Sequence, residues 1–587
     1  MTPWDRGRGL DVDKKSPATY ACPDTRYGLI TGRWGSAKYA QISARSFPLI
    51  GLEGTRLRPR AQITELKPNC IFNTSHYALC RSQVDNHSLQ RSNPKIQQII
   101  IVGAGLAGLS AAHAALTASP SASVLLLERA AKPGGNSIKA SSGINGAPTR
   151  FQTQSWDSAA LFRDDTLKSA GARLNSAGLL DRHGRQSLIG NLTERSAAAV
   201  HFLHDDVGVD LSVVTQLGGH SVPRTHRGAG KTPPGFAIVS ALLAKLKDEV
   251  GKDGRFELRT DCEVTKLLTK PGENDQVAVV GVEYTSGAPA QDSDRTTASA
   301  LGPVIFAAGG FAGDATGLLI KHRPDLGPLP STNDARAATA LNILEADAKA
   351  ILVDMDSIQV HPTGFVDPAN PNAPVKILAA EMLRGEGGIL LRHGKRFVNE
   401  MDTREHVSSV IMAQPPSDEK AVPKQWEVTL LLDPGSCEAA SAHLGFYIFK
   451  GLMAKKKISD LDEITRQTLR EYSDIAAGEK PDPFGRRAFG HWSLKGGDVD
   501  SEKEVCIGQV TPITHFTMGG AAINDKAQIL SSTAQGRPIE GLWAAGEITG
   551  GVHGDNRLGG SSLLECVVYG RIAGEEAARY VSSRREI

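Results

Sequence analysis

A glycine-rich turn between an apolar strand and an Ala/Leu-rich helix constrains this chain more than any other feature. The run "IQQIIIVGAG" predicts a buried parallel strand, and "LAGLSAAHAALTAS" predicts the helix that follows it. Gly103, Gly105 and Gly108 form a G-x-G-x-x-G turn between them. Glycines at these positions allow a tight turn, let the backbone approach a pyrophosphate and let helix and strand pack closely. The turn therefore predicts an α/β fold with a dinucleotide site.

Two further signals favour a long dinucleotide over an accidental glycine turn. Glu128 ends the next strand, "SVLLLER", where a carboxylate can accept a hydrogen bond from a ribose hydroxyl. A Gly/Ser-rich loop follows at 132–145, and a second glycine-rich strand-to-helix turn lies at 544–565. A nicotinamide-binding domain would usually continue with a plain helix where this chain has the loop at 132–145. We therefore expect FAD, held by both ends of the chain.

The composition excludes several classes of partner and cofactor. The 587 residues carry a formal net charge of +2, so no global field recruits nucleic acid or a membrane surface. No run reaches the roughly 18–20 apolar residues that span a bilayer. The seven cysteines form no C-x-x-C pair, haem motif or iron–sulfur run. We therefore predict no metal site, no nucleic-acid or membrane partner, and a reducing compartment by default.

Residues 1–95 differ from the rest and predict an N-terminal extension without a packed core. Up to residue 94 they contain 14 Lys and Arg against 7 Asp and Glu, with little hydrophobic periodicity. Such a composition favours disorder. A mitochondrial presequence is an alternative, although Asp5, Asp11 and Asp13 lie where such peptides avoid acids. The compartment, cytoplasmic or mitochondrial, stays open.

The remaining patterns predict strands and helices around an irregular middle. Strands are expected in "DCEVTKLLTK", "VAVVGVEYTSG" and "PVIFAAGGFAG", and a helix over 335–352. The middle, 356–510, shows little periodicity except for a helix in "ISDLDEITRQTLREYSDIAAG". Strand and helix patterns return after residue 511.

Several long motifs, in a fixed order, carry a family resemblance. Besides the glycine-rich turns they are "QLGGHSVPRTHR", "QVHPTGF", "AAEMLRGEGGILL", "GKRFVNEMDTRE" and "VTPITHFTMGG". They resemble the soluble FAD-dependent fumarate reductases of the yeast type. More distantly they resemble flavocytochrome c fumarate reductase and the flavoprotein subunit of succinate dehydrogenase. The resemblance covers about residues 96–582.

The resemblance implies a Rossmann-like FAD-binding domain interrupted by a smaller α+β capping domain. The expected ranges are 96–355 and 511–582 for the FAD-binding domain and 356–510 for the capping domain. It also implies a set of FAD-binding residues in and around the glycine-rich turns. These are Gly103, Ala104, Gly105, Ala107, Gly108, Glu128, Arg129, Gly135, Asn136, Ser137, Ser141, Ser142, Gly143, Val264, Glu547, Ser562 and Leu563.

The resemblance further implies reduction of fumarate to succinate, with a hydride from N5 of reduced FAD and a proton from Arg404. Glu381 and Arg384 would relay protons from solvent to Arg404. The residues implied to bind the substrate are His361, His515, Arg557, Gly560 and Ser142. A buried dianion needs such convergent cationic donors. A guanidinium is normally a poor acid, but a strongly basic carbon can accept its proton.

Each of these side chains also has an ordinary structural interpretation. The histidines and arginines could be turn, core or surface residues, and Glu381 with Arg384 could form an ion pair on a helix surface. Because six such residues match in one order, we favour the site. Four neighbouring residues are expected to form its walls: His220, Arg224, His226 and Arg227.

The sequence departs from the family at two places that bear on the cofactor. Asn136 stands where membrane-bound relatives carry the histidine that attaches FAD, so non-covalent FAD is expected. Thr339, Ala340 and Leu341 replace a Gly-Asp-Gly whose acid contacts FAD. Leu341 also lacks the access of glycine to positive φ.

Three interpretations of the function stay open. The first is a fumarate reductase whose electron donor is a free reduced flavin or an unidentified partner. The second is a related flavin-dependent reductase or dehydrogenase with another 2-enoate or a steroid as substrate, although four cations argue for a dicarboxylate. The third, suggested by the acid lost at Ala340, is a degenerate flavin-binding protein without turnover.

The residue at position 136 gives a direct test of how the flavin is held. Because Asn136 offers no imidazole for a covalent link, acid precipitation of the purified protein should release all the flavin. Absorbance of the supernatant and of the washed pellet measures the distribution. Yellow chromophore retained on the denatured pellet would contradict non-covalent binding.

Overall fold

The structure is a computed structural model, and it describes most of the chain beyond the predicted N-terminal extension. The described residues are 97–584, except 154–155, 177–179, 251, 273–275, 288–294, 334–338, 380–381, 384 and 499–500. The extension predicted over 1–95 lies outside them, and so do Glu381 and Arg384.

The described elements include both strands and helices throughout the chain. The strands are β1 (Gln97–Val102), β2 (Ala122–Leu127), β3 (Ile144–Asn145), β4 (Val213–Thr215), β5 (Thr225–Arg227), β6 (Phe256–Arg259), β7 (Cys262–Pro271), β8 (Val277–Ser286), β9 (Thr296–Leu301), β10 (Val304–Phe306), β11 (Leu352–Val353), β12 (Ile358–Phe365), β13 (Ile389–Arg392), β14 (Lys395–Arg396), β15 (Val428–Leu432), β16 (Ala454–Lys457), β17 (Glu504–Thr517), β18 (Gly520–Ala522), β19 (Gln528–Leu530), β20 (Pro538–Ala544) and β21 (Thr549–Gly550). The α-helices are α1 (Leu106–Ala118), α2 (Ala159–Ala170), α3 (Arg182–Glu194), α4 (Ser196–His201), α5 (Pro234–Lys245), α6 (Leu318–His322), α7 (Thr339–Ala348), α8 (Arg404–Met412), α9 (Pro434–Ala439), α10 (Ser441–Phe449), α11 (Glu463–Ala476) and α12 (Ser561–Ser583).

The first glycine-rich turn lies in the middle of the largest sheet, as the sequence predicts. The strand order is β6-β2-β1-β10-β20-β8-β7, with β9 on β8 and β19 on β20. The strands β6, β2, β1, β10 and β20 pair in parallel, and β7, β8 and β9 pair antiparallel. β1, β2 and β10 consist mainly of buried aliphatic residues, as expected for strands covered on both faces.

The two ends of the described chain meet where α12 packs against α1. Glycines of α12 lie directly on the α1 backbone. A Cβ on Gly570 would lie 2.5 Å from the Ala107 carbonyl oxygen, and one on Gly574 would lie 2.2 Å from that of Ala111. Only glycine permits this approach. The packing brings the turn before α12 close to the turn before α1.

The middle of the chain is not irregular, contrary to the expectation from sequence. It forms an antiparallel sheet of order β12-β17-β15-β13-β14, with β16 on β17. The motif "HPTGF" lies in β12, which is buried along its whole length and so lacks polar/apolar alternation. Two register shifts between β12 and β17 disrupt the pattern further.

Other expectations for the second half of the chain have mixed outcomes. The helix expected in "ISDLDEITRQTLREYSDIAAG" is confirmed as α11. The helix expected over 335–352 ends at Ala348, and β11 begins at Leu352; residues 335–338 lie outside the described ranges. β17 spans Glu504–Thr517 without a break, so the domain boundary placed between residues 510 and 511 falls inside a strand. None of the helices in the described ranges has an apolar stretch sufficient to cross a bilayer.

The contact between α1 and α12 can be tested by adding one methyl group. Gly574→Ala should lower the free energy of unfolding by about 1–3 kcal/mol, because the methyl would overlap the Ala111 carbonyl and force the helices apart. Gly445→Ala in α10 is the matched control, since no atom lies within 4 Å of its added Cβ. Alanine is the better helix former by about 1 kcal/mol, so this variant should be slightly more stable. Chemical denaturation measures both, and equal destabilisation would contradict the packing described.

Candidate active site

A cavity of about 1100 Å³ brings the predicted cofactor and substrate residues together. Of the cofactor residues predicted from sequence, all but Ala104 and Gly108 line it. The described residues predicted to bind or protonate the substrate all line it too: Arg404, His361, His515, Arg557, Gly560 and Ser142. The predicted relay residues Glu381 and Arg384 lie outside the described residues, so their placement stays a prediction.

The three glycines of the first turn have three different surroundings. Gly103 has φ of +103°, and a Cβ there would lie 2.4 Å from the Ala307 carbonyl oxygen. A Cβ on Gly108 would lie 2.0 Å from the Gly103 carbonyl oxygen, inside the turn. Gly105 faces the cavity, and the nearest atom to its added Cβ is 3.7 Å away. The turn thus leaves backbone open to a ligand at Gly105, as a pyrophosphate requires.

Backbone hydrogen bonds fix Glu128 beside this turn. Its two carboxylate oxygens accept from the backbone N–H groups of Ala104 and Ala130, each at 2.8 Å. Ala104 is therefore buried inside the turn, where it orients the acid without touching the cavity. Glu128 itself lines the cavity and keeps further lone pairs for a ribose hydroxyl.

The predicted substrate residues come from distant parts of the chain. His361 lies on β12 and His515 on the neighbouring β17, with ring centroids 5.2 Å apart. Arg404 is the first residue of α8, and Arg557 lies in the turn before α12. The antiparallel pairing of β12 with β17 therefore holds the two histidines together.

Gln359, which the sequence analysis missed, links two of these residues. Its Oε1 accepts from Arg557 Nη2 and from His515 Nε2, each at 3.0 Å. Its Nε2 donates to Asn556 Oδ1 at 2.6 Å, which fixes the amide orientation and so places the ring hydrogen of His515 on Nε2. Gln359 precedes His361 by two residues, a spacing that puts side chains on one face of a regular strand. A register shift after Gln359 makes that signal unreliable here.

Arg557 is buried with little to offset its charge. Its guanidinium stacks on Phe516 at 4.2 Å, and Nη1 donates to the Leu558 carbonyl at 3.1 Å. No ion pair of Arg557 occurs in the described part of the chain. Burial, followed by repulsion from Arg404, lowers the pKa of Arg557 to about 10. The arrangement suits an anionic ligand, because a carboxylate would offset this charge and accept from the planar fork.

A buried network behind the cavity holds the Gly559–Gly560 turn in place. The Gly559 carbonyl accepts from Asn145 Nδ2 at 2.7 Å and from His220 Nε2 at 2.9 Å. Arg224 Nη1 donates to His220 Nδ1 at 3.2 Å, so the ring hydrogen is on Nε2. Burial lowers the pKa of His220 to about 4, which keeps the ring neutral near pH 7. The Gly559 backbone lies against Arg404, because its added Cβ would be 3.3 Å from Arg404 Nη2.

This network corrects the expectation that four residues would form cavity walls. The cavity lining includes none of these four residues: His220, Arg224, His226 and Arg227. They lie behind the lining. Sequence motifs alone do not distinguish residues that line a cavity from residues that support the lining.

Glu547 and Lys376 are among the other titratable groups that line the cavity. Glu547, a predicted cofactor residue, accepts from the Thr517 backbone N–H at 3.0 Å, and burial raises its pKa to about 7. Lys376, which the sequence analysis did not identify, donates to the Pro371 carbonyl at 2.8 Å. Burial lowers the pKa of Lys376 to about 8.

Comparison with known proteins identifies the family. The chain matches the FAD binding domain family over residues 98–563. It belongs to this FAD-binding family. It is 41 % identical to fumarate reductase 1 of Saccharomyces cerevisiae over 497 residues, which cover 82 % of this chain and 99 % of that protein.

A second relative and a solved structure support the same family and fold. Fumarate reductase of Schizosaccharomyces pombe is 38 % identical over 495 residues, covering 82 % of this chain and 89 % of that one. The open conformation of a flavocytochrome c3 fumarate reductase aligns with a TM-score of 0.63 and 29 % identity. That alignment covers 82 % of this chain and 78 % of the other. FAD is accordingly the cofactor, and the open backbone at Gly105 with Glu128 beside it fits that group.

The structure resolves one of the concerns raised by the lost Gly-Asp-Gly. Thr339, Ala340 and Leu341 line the cavity in the first turn of α7. Leu341 is not among the residues with positive φ, so no glycine is needed there. What the chain lacks is the carboxylate of the family, at a position that does face the cofactor cavity.

Restoring that carboxylate should tighten FAD. A charge-assisted hydrogen bond contributes about 1.5–3 kcal/mol, so Ala340→Asp should lower the dissociation constant of FAD roughly ten- to a hundredfold. Ala340→Asn, which has nearly the same shape without charge, is the matched control and should gain less. Fluorescence titration of apoprotein measures all three proteins. Equal or weaker binding by the Asp variant would show that the cofactor does not approach residue 340.

Proposed function

We propose that this protein is an FAD-dependent fumarate reductase, which reduces fumarate to succinate. The observation that carries the proposal is the convergence of Arg404, Arg557, His361 and His515 on the cavity that FAD residues also line. A small dianion suits this set, because its charge offsets that of the buried Arg404 and Arg557 guanidinium groups. The names of the two yeast relatives support fumarate as that dianion.

Arg557 binds one substrate carboxylate, and His515 contributes beside it. Because Nε2–H of His515 is donated to Gln359, His515 donates to the carboxylate only when its ring also carries a hydrogen on Nδ1. Gln359 holds both side chains through one oxygen, so little side-chain entropy is lost when the carboxylate arrives. Arg557 offers the planar pair of N–H groups that matches a carboxylate. Gly560 contributes through its backbone, which the Asn145 network holds in place.

His361 binds the other carboxylate as a neutral donor. The Thr363 backbone N–H donates to His361 Nδ1 at 3.3 Å, which places the ring hydrogen on Nε2. Ser142 lies on the same cavity and assists at this end. Hydrogen bonds to both carboxylates draw electron density from the double bond and make its carbons more electrophilic.

Arg404 donates the proton. Reduced FAD supplies the hydride when bound, and the carbon next to the attacked one then needs a proton. Arg404 begins α8 and lines the cavity beside the Gly559 backbone, close to the other substrate residues. Glu381 and Arg384 resupply this proton from solvent.

We further propose a free reduced flavin, or a partner protein, as the electron donor. The cytoplasm and the mitochondrion are the candidate compartments. Neither the identity of the electron donor nor the compartment alters the roles proposed for the cavity residues.

The proton donor gives the sharpest test of this function. Arg404→Ala should lower fumarate reduction by more than the ~100- to 10,000-fold typical of a general acid, because substrate binding is lost too. Bound FAD should stay near the original stoichiometry. Fumarate-dependent oxidation of reduced methyl viologen measures activity, and the flavin spectrum measures occupancy.

A neighbouring residue on the same helix serves as the control. The His406 side chain is 54 % exposed and is not part of the cavity lining, so His406→Ala should retain full activity. Near-normal turnover by the Arg404→Ala protein would show that another group donates the proton. Equal losses in both variants would point to damage of α8.

A further inference from the structure

A second cavity, which shares no lining residue with the FAD cavity, contains two cysteines. It has a volume of about 390 Å³. Its lining residues are Pro434, Cys437, Lys455, Ser493, Lys503, Glu504 and Cys506. The function proposed above uses none of them.

The fold of the capping region brings the two thiols together. Cys506 on β17 lies directly opposite Leu432, the last residue of β15. The chain then turns into α9, and the Cys437 thiol folds back to the Leu432 carbonyl oxygen at 3.6 Å. The strand register and this hydrogen bond therefore bring both thiols to the lining of the second cavity, where each shifts the pKa of the other.

The corner between β15 and α9 is held firmly. Asp433 caps α9 by accepting from the Ser436 backbone N–H at 2.9 Å. Its other oxygen accepts from the backbone N–H groups of Ser493 at 2.6 Å and Leu494 at 3.1 Å. These bonds keep Cys437 near Cys506 whatever the state of the active site.

The surroundings of the pair favour a thiolate at Cys506. Lys455 lies opposite Cys506 in the register of β16 with β17. Interaction with the Cys437 thiol, aided by the charge of Lys455, lowers the pKa of Cys506 against the opposing effects of burial and of Glu504, which pairs with Lys455 at 3.3 Å. The same interaction, together with burial, raises the pKa of Cys437. A thiolate beside a protonated thiol is the arrangement that thiol oxidation uses.

We propose that Cys437 and Cys506 form a redox-active dithiol, which hydrogen peroxide entering the second cavity oxidises to a disulfide. The Cys506 thiolate attacks one peroxide oxygen, the O–O bond breaks, and the leaving hydroxide takes a proton to become water. The Cys437 thiol then attacks the sulfenic acid sulfur, which forms the S–S bond and releases a second water. Two thiols lose two electrons and two protons in all, and one peroxide becomes two waters.

The other described cysteines serve as internal controls. Burial raises the pKa of Cys262 and of Cys566, and neither lines the second cavity. Both should therefore stay reduced at a peroxide concentration that oxidises the proposed pair.

The experiment maps thiols in the full-length FAD-loaded protein. The protein is treated with one equivalent of hydrogen peroxide, denatured, alkylated with iodoacetamide, digested and analysed by mass spectrometry. We expect a cross-linked peptide containing Cys437 and Cys506, two hydrogens lighter than the separate peptides and cleaved by dithiothreitol. Its loop closure should also raise the midpoint of thermal unfolding of the oxidised protein.

Matched single variants assign the nucleophile. In Cys437→Ser, the sulfenic acid at Cys506 has no partner, so dimedone should label Cys506. In Cys506→Ser, dimedone should leave Cys437 unlabelled. Labelling at Cys437 in place of Cys506 would overturn the assignment of roles.

The mapping of thiols in the protein without substitutions decides the proposal even if a variant fails to fold. Full alkylation of both Cys437 and Cys506 after peroxide treatment would overturn it. A disulfide from either residue to Cys22, Cys70 or Cys80 would overturn it as well.

Discussion

Burial of two neighbouring guanidinium groups is the constraint on which the rest of this structure depends. Arg404 and Arg557 keep only 7 % and 6 % of their surface exposed, and removing an ion from water costs several kcal/mol unless other groups offset its charge. Gln359, the Leu558 carbonyl and the face of Phe516 offset part of that cost at Arg557. In the proposed function a dianionic substrate offsets the remainder, so the cost of holding two like charges together would contribute to affinity for the substrate.

Holding those charges in place requires parts of the chain that lie far apart in sequence. The glycines of α12 let it pack on α1, which brings the turn carrying Arg557 to the first glycine-rich turn. The pairing of β12 with β17 brings both histidines and Gln359 to the cavity. His220 and Asn145 then anchor the Gly559 carbonyl from behind. The residues predicted to bind FAD and those predicted to bind the substrate therefore line one cavity. A change in the packing of α12 on α1 would disturb both sets.

How much of this could be predicted from the sequence depended on whether the signal was local. The strand, turn and helix around Gly103 were predictable, because periodicity and glycine geometry act within a few residues. The strands of the capping region were not, because β12 is buried on both faces and its register shifts leave no alternation. Gln359 escaped notice because its role exists only once β12, β17 and the turn at Arg557 meet. The placement of His220 behind the wall likewise follows from tertiary packing, which no motif reports.

The most direct test of the account follows the bound flavin through a single turnover. The FAD-loaded protein is reduced under anaerobic conditions and mixed rapidly with fumarate, and the return of oxidised-flavin absorbance is recorded. Crotonate, which has the same double bond but only one carboxylate, is the matched comparison. If the site binds both carboxylates of the substrate, fumarate should re-oxidise the flavin at least about 100-fold faster than crotonate does. Equal rates, or a flavin that stays reduced in excess fumarate, would contradict the proposal that the buried cations select a dicarboxylate for reduction.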